Sequence, residues 1–277
     1  MAGKRRRIGI VGYGSLGQYL AKEVLSHPDM DLAFVWNRTV DKMEKGIPSE
    51  AIIDDLDKIA SRSPDLIIEV AHPSITESHG EKFLEVADYM IGSPTALAKR
   101  DLEKKLRDKA GSGPNGLYVP TGAFWGGEDI KKMADRGTLK GLKITMKKHP
   151  HSFKLVGDLV EKNDNVKDDP VTLYDGSVRE LCPLAPNNVN TMAAAALAAW
   201  NLGFDAVQGC LVADPSLDCH IVEVDVQGPG QPPNQFSVKT IRRNPAATGF
   251  VTGSATYASF WSSVLCAHGK GPGVHLC

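Results

Sequence analysis

The chain has 277 residues, a formal net charge of −1 and 42% hydrophobic residues, a composition that suits one large or two modest folded domains. No single-sign field argues for nucleic acid as a partner. No apolar run approaches the roughly 18 residues needed to cross a bilayer, and no signal-peptide core follows the N-terminus, so a cytoplasmic protein without a membrane partner is expected. Five scattered cysteines, Cys182, Cys210, Cys219, Cys266 and Cys277, form no C-x-x-C pair and suit reduced thiols. His149 and His151 have no carboxylate or thiol close in sequence, and no metal site is expected.

Lys4-Arg5-Arg6-Arg7 reads as a solvated lead-in to the apolar run Ile8-Gly9-Ile10-Val11. Next comes Gly12-Tyr13-Gly14-Ser15-Leu16-Gly17, then apolar residues at helical spacing to Leu25. Strand, glycine turn and helix in that order form the dinucleotide fingerprint. Gly12 makes the turn, Gly14 admits a pyrophosphate, and Gly17 lets helix pack on strand. The N–H groups of Ser15 and Leu16 then face the phosphates. A second strand, Leu32 to Trp36, leads to Asn37-Arg38, where an acidic residue would bond the ribose of NAD. A neutral amide beside a guanidinium permits NADP. Arg38 as a solvated loop residue is the competing reading.

Asp65 to Val70 reads as a buried parallel strand ending in Ala71-His72-Pro73, followed by a helix from Ile75 to Ala87 and a strand from Tyr89 to Gly92. His72 either touches the cofactor or bonds its own corner's backbone. A charged helix is expected from Ser93-Pro94 to about Ala110, and the turn cluster at 111–116 precedes a last strand, Leu117 to Pro120. Strands alternating with helices imply a doubly wound parallel sheet over residues 1–120. Ligand then lies outside the carboxyl ends of the strands.

The pattern changes over residues 121–245. Strands are expected at Leu139–Lys147, Val171–Tyr174, Ala206–Val212, Cys219–Val226 and Phe236–Ile241, with an alanine-rich helix at Ala193–Leu202. These describe a second α+β domain with a mixed sheet. A helix from Ser254 to Ala267, within 246–268, is expected to return to the first domain, leaving 269–277 as a flexible tail.

The motifs of the second half carry a resemblance. Tyr174-Asp175-Gly176-Ser177-Val178-Arg179-Glu180, Pro186-Asn187-Asn188-Val189-Asn190, Asp214-Pro215 and His220-Ile221-Val222-Glu223-Val224 are similar to successive signatures of the L-aspartate dehydrogenase family. Thr121-Gly122-Ala123-Phe124-Trp125-Gly126-Gly127 resembles that family's segment after the last strand of the parallel sheet. The resemblance implies NAD(P)-dependent oxidation of L-aspartate to iminosuccinate, which hydrolyses to oxaloacetate and ammonia, or the reverse amination, by a homodimer. It implies that His220 is catalytic and that Ala123 and Asn188 contact NADP or NAD.

Alternatives stay open at each position. His220 shares a strand face with Val222, Val224 and Val226, as a core histidine would. Asn188 also suits the N-cap of the alanine-rich helix. Lys148, ahead of Lys147 and together with His151, is the candidate cation for a substrate carboxylate, against a solvated basic loop. At the level of function, a related reductase of another small dicarboxylate or amino acid, and a non-catalytic NADP-binding scaffold or redox sensor, remain alongside.

Overall fold

The computed structural model describes residues 4–40, 43, 46–251 and 254–277. The first part of the chain alternates β1 (Arg6–Val11), α1 (Ser15–Ser26), β2 (Met30–Trp36), β3 (Ile52–Ile53), β4 (Leu66–Glu69), α2 (Pro73–Val86), β5 (Asp88–Ile91), α3 (Arg100–Ser112) and β6 (Gly116–Val119). A further strand, β12 (Gly273–Leu276), closes the chain and completes a seven-stranded sheet of order β12-β6-β5-β4-β1-β2-β3. Every pairing in it is parallel. Its central strands are apolar on both faces, with Ile8, Ile10, Leu66, Ile67 and Ile68 fully buried, as helices on both sides require.

The second part runs α4 (Gly127–Asp135), β7 (Gly141–Lys148), α5 (Asp158–Asp164), β8 (Val171–Ser177), α6 (Val178–Leu181), α7 (Asn190–Ala198), α8 (Gly203–Ala206), β9 (Gln208–Ala213), β10 (Cys219–Gln227) and β11 (Ser237–Pro245). Its five strands form a mixed sheet of order β11-β10-β7-β9-β8. Only β7 and β9 pair in parallel. The alanine-rich α7 is buried along residues 192–198. Small side chains let α3's neighbouring turn and α4 approach it closely.

After β11 the chain returns through α9 (Ser254–Cys266), whose Phe260 and Val264 enter the apolar cluster built on Ile8, Leu20 and Tyr118. Within the basic run, Lys4 and Arg5 are exposed, and Arg6 belongs to this return. Arg6 donates to the carbonyls of Val264 and Ala267 at the end of α9, and Arg5 donates to the Met30 carbonyl at 2.6 Å. A guanidinium suits a helix C-terminus because it supplies several donors and a positive charge to its orphan carbonyls.

Three expectations are corrected. The segment 269–277 is no flexible tail: Gly273–Leu276 pairs in register with Gly116–Val119, and the Cys277 carbonyl accepts from the Thr121 backbone N–H at 2.8 Å. A short strand at an existing sheet edge needs no long apolar run to form. The helix expected from Ser93 divides into a 3₁₀ turn, Pro94–Ala98, and α3, because Pro94 to Leu97 are buried and Thr95 Oγ1 bonds the Pro186 carbonyl at 3.0 Å. The alanine-rich helix ends at Ala198, ahead of Gly203 at φ +61°.

Candidate active site

The glycine turn divides its labour. A Cβ on Gly12, which sits at φ +110°, would lie 2.8 Å from the Ala71 backbone, and one on Gly17 would lie 2.0 Å from the Gly12 carbonyl oxygen. Gly14 faces open space. Two glycines therefore permit close packing, and the third leaves the approach to α1 clear. Gly14 is the N-cap of α1 and offers no side chain to it, and the first turn holds no acidic residue. The N–H groups of Ser15 and Leu16 stand at this uncapped start, where helix geometry leaves donors orphaned and an anion is favoured. The cradle fits a pyrophosphate.

Asn37 pins the cradle to β2: its Oδ1 accepts from Tyr13 N at 3.1 Å and its Nδ2 donates to the Thr39 carbonyl at 2.9 Å. Arg38, next to it, is exposed. The third-strand corner is organised by Glu69, a residue the sequence reading passed over. Its carboxylate is fully buried and accepts from Ala71 N, His72 N, Ser93 N and Ser93 Oγ at 2.7–3.2 Å. It thereby ties the ends of β4 and β5 together against the Gly12 turn. Burial pushes its pKa up to about 7 against those bonds. A carboxylate closing an otherwise apolar strand, Leu66-Ile67-Ile68-Glu69, was the available signal. His72 itself is exposed and caps α2, its Nδ1 accepting from Ser74 N at 3.2 Å, so its ring serves the corner's backbone.

A separate cavity of about 100 Å³ is bordered by Ala123, Lys148, Asn188, Asn190, His220 and Asn244, among others. Each comes from a different place in the fold. Lys148 ends β7 and His220 lies near the start of β10, strands paired antiparallel from Ile221 and Lys147 onward. Asn244 lies opposite His220 on β11, and Ala123 lies on the loop leaving β6. That loop is held by Arg242 and Ser259, which both donate to the Gly122 carbonyl.

Lys148 is 3% exposed, donates to the Val251 carbonyl at 2.9 Å and lies 5.6 Å from the Phe153 ring centroid. No carboxylate borders the cavity among the described residues. Burial pushes the lysine's pKa down to about 7. His220 is 6% exposed, and its Nε2 has no partner among the described residues. Burial first, then the charge on Lys148, lower its pKa to about 4, against a bond to the Phe250 backbone. The resting imidazole is therefore neutral and presents a ring nitrogen to the cavity.

Two further expectations change. Asn188 does not cap the alanine-rich helix: its Nδ2 donates to the Lys154 carbonyl at 2.6 Å, and the N-cap is Val189. Asn188 thus fixes the loop after β7 while bordering the cavity. His151 is exposed on a 3₁₀ turn beside His149 and does not border the cavity, because the turn begun by Pro150 carries it away from Lys148. Lys147 points to the other face of β7 and pairs with Glu223. Alternation along a strand sends only one of two adjacent lysines inward. Asn190 and Asn244 were not singled out from the sequence; the repeated amides of Asn187-Asn188-Val189-Asn190 were the signal for the first.

An uncapped glycine cradle on a doubly wound sheet, in one chain with a buried histidine and lysine that share a cavity on a mixed sheet, defines a Rossmann-type dehydrogenase that uses a nicotinamide cofactor. Residues 12–120 match the family model for the homoserine dehydrogenase NAD-binding domain, and residues 129–263 match that for the aspartate dehydrogenase C-terminal domain. An aspartate dehydrogenase domain-containing protein of Xenopus tropicalis is 55% identical over 99% of both chains. An L-aspartate dehydrogenase of Methanocaldococcus jannaschii is 30% identical over 76% of this chain and 79% of its own. The crystal structure of aspartate dehydrogenase from Thermotoga maritima shares the fold with a TM-score of 0.71 at 19% identity, covering 96% of this chain and 98% of that one. The chain belongs to the aspartate dehydrogenase family.

Proposed function

We propose that the protein interconverts L-aspartate and iminosuccinate, the latter exchanging with oxaloacetate and ammonia, with NAD(P) as cofactor. The observation that carries this reading is the convergence of Lys148, Asn188, His220 and Ala123 on one cavity that no carboxylate borders among the described residues. A cation buried without an anion suits an acidic ligand. A substrate carboxylate on Lys148 restores the lysine's charge and, being negative itself, raises the His220 pKa toward the range in which an imidazole exchanges protons. His220 then takes the proton from the substrate ammonium, so that the nitrogen lone pair can form the C=N bond as the α-carbon releases hydride, and in the next step His220 activates water on the imine carbon. The nicotinamide, when bound, accepts or supplies the hydride. Ala123 leaves room beside it, and Asn188 holds the wall.

The reading includes a preference for NADP(H), because Asn37 carries no charge to repel a 2′-phosphate and Arg38 adds a cation. It includes a homodimer formed on the edge strand β11, where Val238 and Ile241, with Phe236 just before them, are 42%, 59% and 52% exposed. Exposed apolar side chains on an unpaired sheet edge are a surface that a second copy covers. Light scattering of the purified protein checks this. No described helix is long and apolar enough to cross a membrane, and a cytoplasmic setting is part of the proposal.

The test of the activity is spectrophotometric: oxidation of NADPH and NADH with oxaloacetate plus ammonium, and reduction of the oxidised cofactors with L-aspartate. Turnover with oxaloacetate that requires ammonium supports the reading. Cofactor binding without turnover of either substrate contradicts it.

A further inference from the structure

We propose that Asn190, together with His220, recognises the primary amine of the substrate and selects an amino acid over the corresponding hydroxy acid. The inference rests on the aspartate reading above and goes beyond it by assigning a residue and a chemical criterion to substrate choice.

Asn190 is the first residue of α7 and borders the same cavity as His220 and Lys148. Its Oδ1 is buried with no hydrogen-bond partner among the described residues, and so is His220 Nε2. Two neighbouring polar groups of the cavity are already engaged: Asn188 bonds both polar atoms of its side chain to the Lys154 backbone, and Lys148 donates to Val251. Two unpartnered acceptors therefore share a space of about 100 Å³ with one cation. An acceptor stranded away from water is destabilising until a donor arrives. Two acceptors on one small ligand call for a group with at least two N–H or O–H bonds. An amine or ammonium has them, whereas a hydroxyl has one hydrogen and satisfies one acceptor only. A site built to hydrogen-bond a group discriminates strongly against ligands that lack it, because its own polar atoms are then left unpaired.

The experiment compares wild type with Asn190→Leu, which removes the acceptor, and Asn190→Asp, which keeps it. In the presence of NADP, thermal shifts are titrated with L-aspartate and with L-malate, and the steady-state KM for L-aspartate is measured alongside the Kd for NADPH. Wild type should bind L-aspartate at least about 10-fold more tightly than L-malate, the order expected of one hydrogen bond to a charged group. Asn190→Leu should lose that preference and raise the KM by a similar factor, with NADPH affinity within twofold. Asn190→Asp should keep the preference. A preference unchanged in Asn190→Leu, or equal binding of the two acids by wild type, overturns the assignment. A preference that depends on Asn190 in a protein without turnover supports the assignment and contradicts the proposed reaction. Turnover of L-aspartate with an unchanged KM in Asn190→Leu overturns the assignment and leaves the reaction standing. Should Asn190→Leu fold poorly, Asn190→Ala carries the same comparison.

Discussion

Lys148 and His220 border one cavity from neighbouring strands, and the lysine's charge adds to burial in holding the imidazole neutral, with a pKa of about 4. Both groups are held far from their behaviour in water by an environment that a bound dicarboxylate would reverse. A site of this kind trades stability for readiness to bind.

The lysine shows this most directly. Its pKa is lowered from 10.5 to about 7 by burial, so the folded protein gives up that proton more easily than the unfolded chain. The resulting stability is fully present above pH 10.5 and is lost as pH falls through about 7, a change of the order of 5 kcal/mol. Lys148→Met should therefore raise Tm at pH 7 and flatten the rise in stability between pH 7 and 10, while raising the KM for the acidic substrate at least about 100-fold. Denaturant titrations at several pH values, with steady-state kinetics, check both. A variant that loses stability at pH 7 would contradict the uncompensated cation.

Glu69 behaves in the opposite sense. Its pKa is raised by burial from 4.5 to about 7, so its contribution is fully present below pH 4.5 and is lost as pH rises through 7, by about 3 kcal/mol. Glu69→Gln cannot titrate, and its amide group meets the Ser93 N–H as donor against donor. The variant should be less stable than wild type at pH 5, and the difference should shrink by pH 8. Urea melts at the two pH values measure it, and a difference independent of pH would show that Glu69 is ionised throughout.

Arg38→Ala should weaken NADPH binding about 10-fold and leave NADH nearly unchanged, the expected loss of one charge-assisted contact to a phosphate. Fluorescence titration with both cofactors provides the measurement. Equal weakening of the two would place Arg38 on a phosphate that they share.

Deleting residues 269–277 removes β12 and the Cys277 carbonyl that receives Thr121 N–H and, from α9, Ser263 Oγ. The truncated protein should lose several degrees of Tm and lose activity, because Thr121 begins the loop that carries Ala123. Unchanged melting and turnover would show the strand to be dispensable.

Much of this was legible in local pattern. Apolar runs such as Ile8 to Val11 and Leu66 to Ile68 are long enough and regular enough to declare a parallel sheet, and the glycines between β1 and α1 declare the cradle. Asn188 and His220 were singled out by the family's motifs and Lys148 as a candidate cation for a substrate carboxylate; that the three border one cavity is not visible in spacing, since they lie on separate elements. What escaped depends on partners remote in sequence. Arg6 looks like a solvated charge until the carbonyls of Val264 and Ala267 meet it, and His275 and Leu276 look like a tail until β6 offers an edge. Asn190 has no pattern of its own, and its meaning lies in an acceptor left without a donor.

The most direct test of the account is His220→Ala, assayed for turnover, NADPH affinity and Tm in the same preparation. A histidine that handles the substrate's proton predicts a fall in kcat of about 10²–10⁴-fold, with NADPH affinity nearly intact. The protein should stay folded, and it should lose less stability than wild type as pH drops from 6.5 through 4, because the buried neutral imidazole no longer resists protonation there. Turnover near the wild-type rate in a stable variant would contradict the central claim, and collapse of the fold at neutral pH would assign His220 to the core with Val222 and Val224.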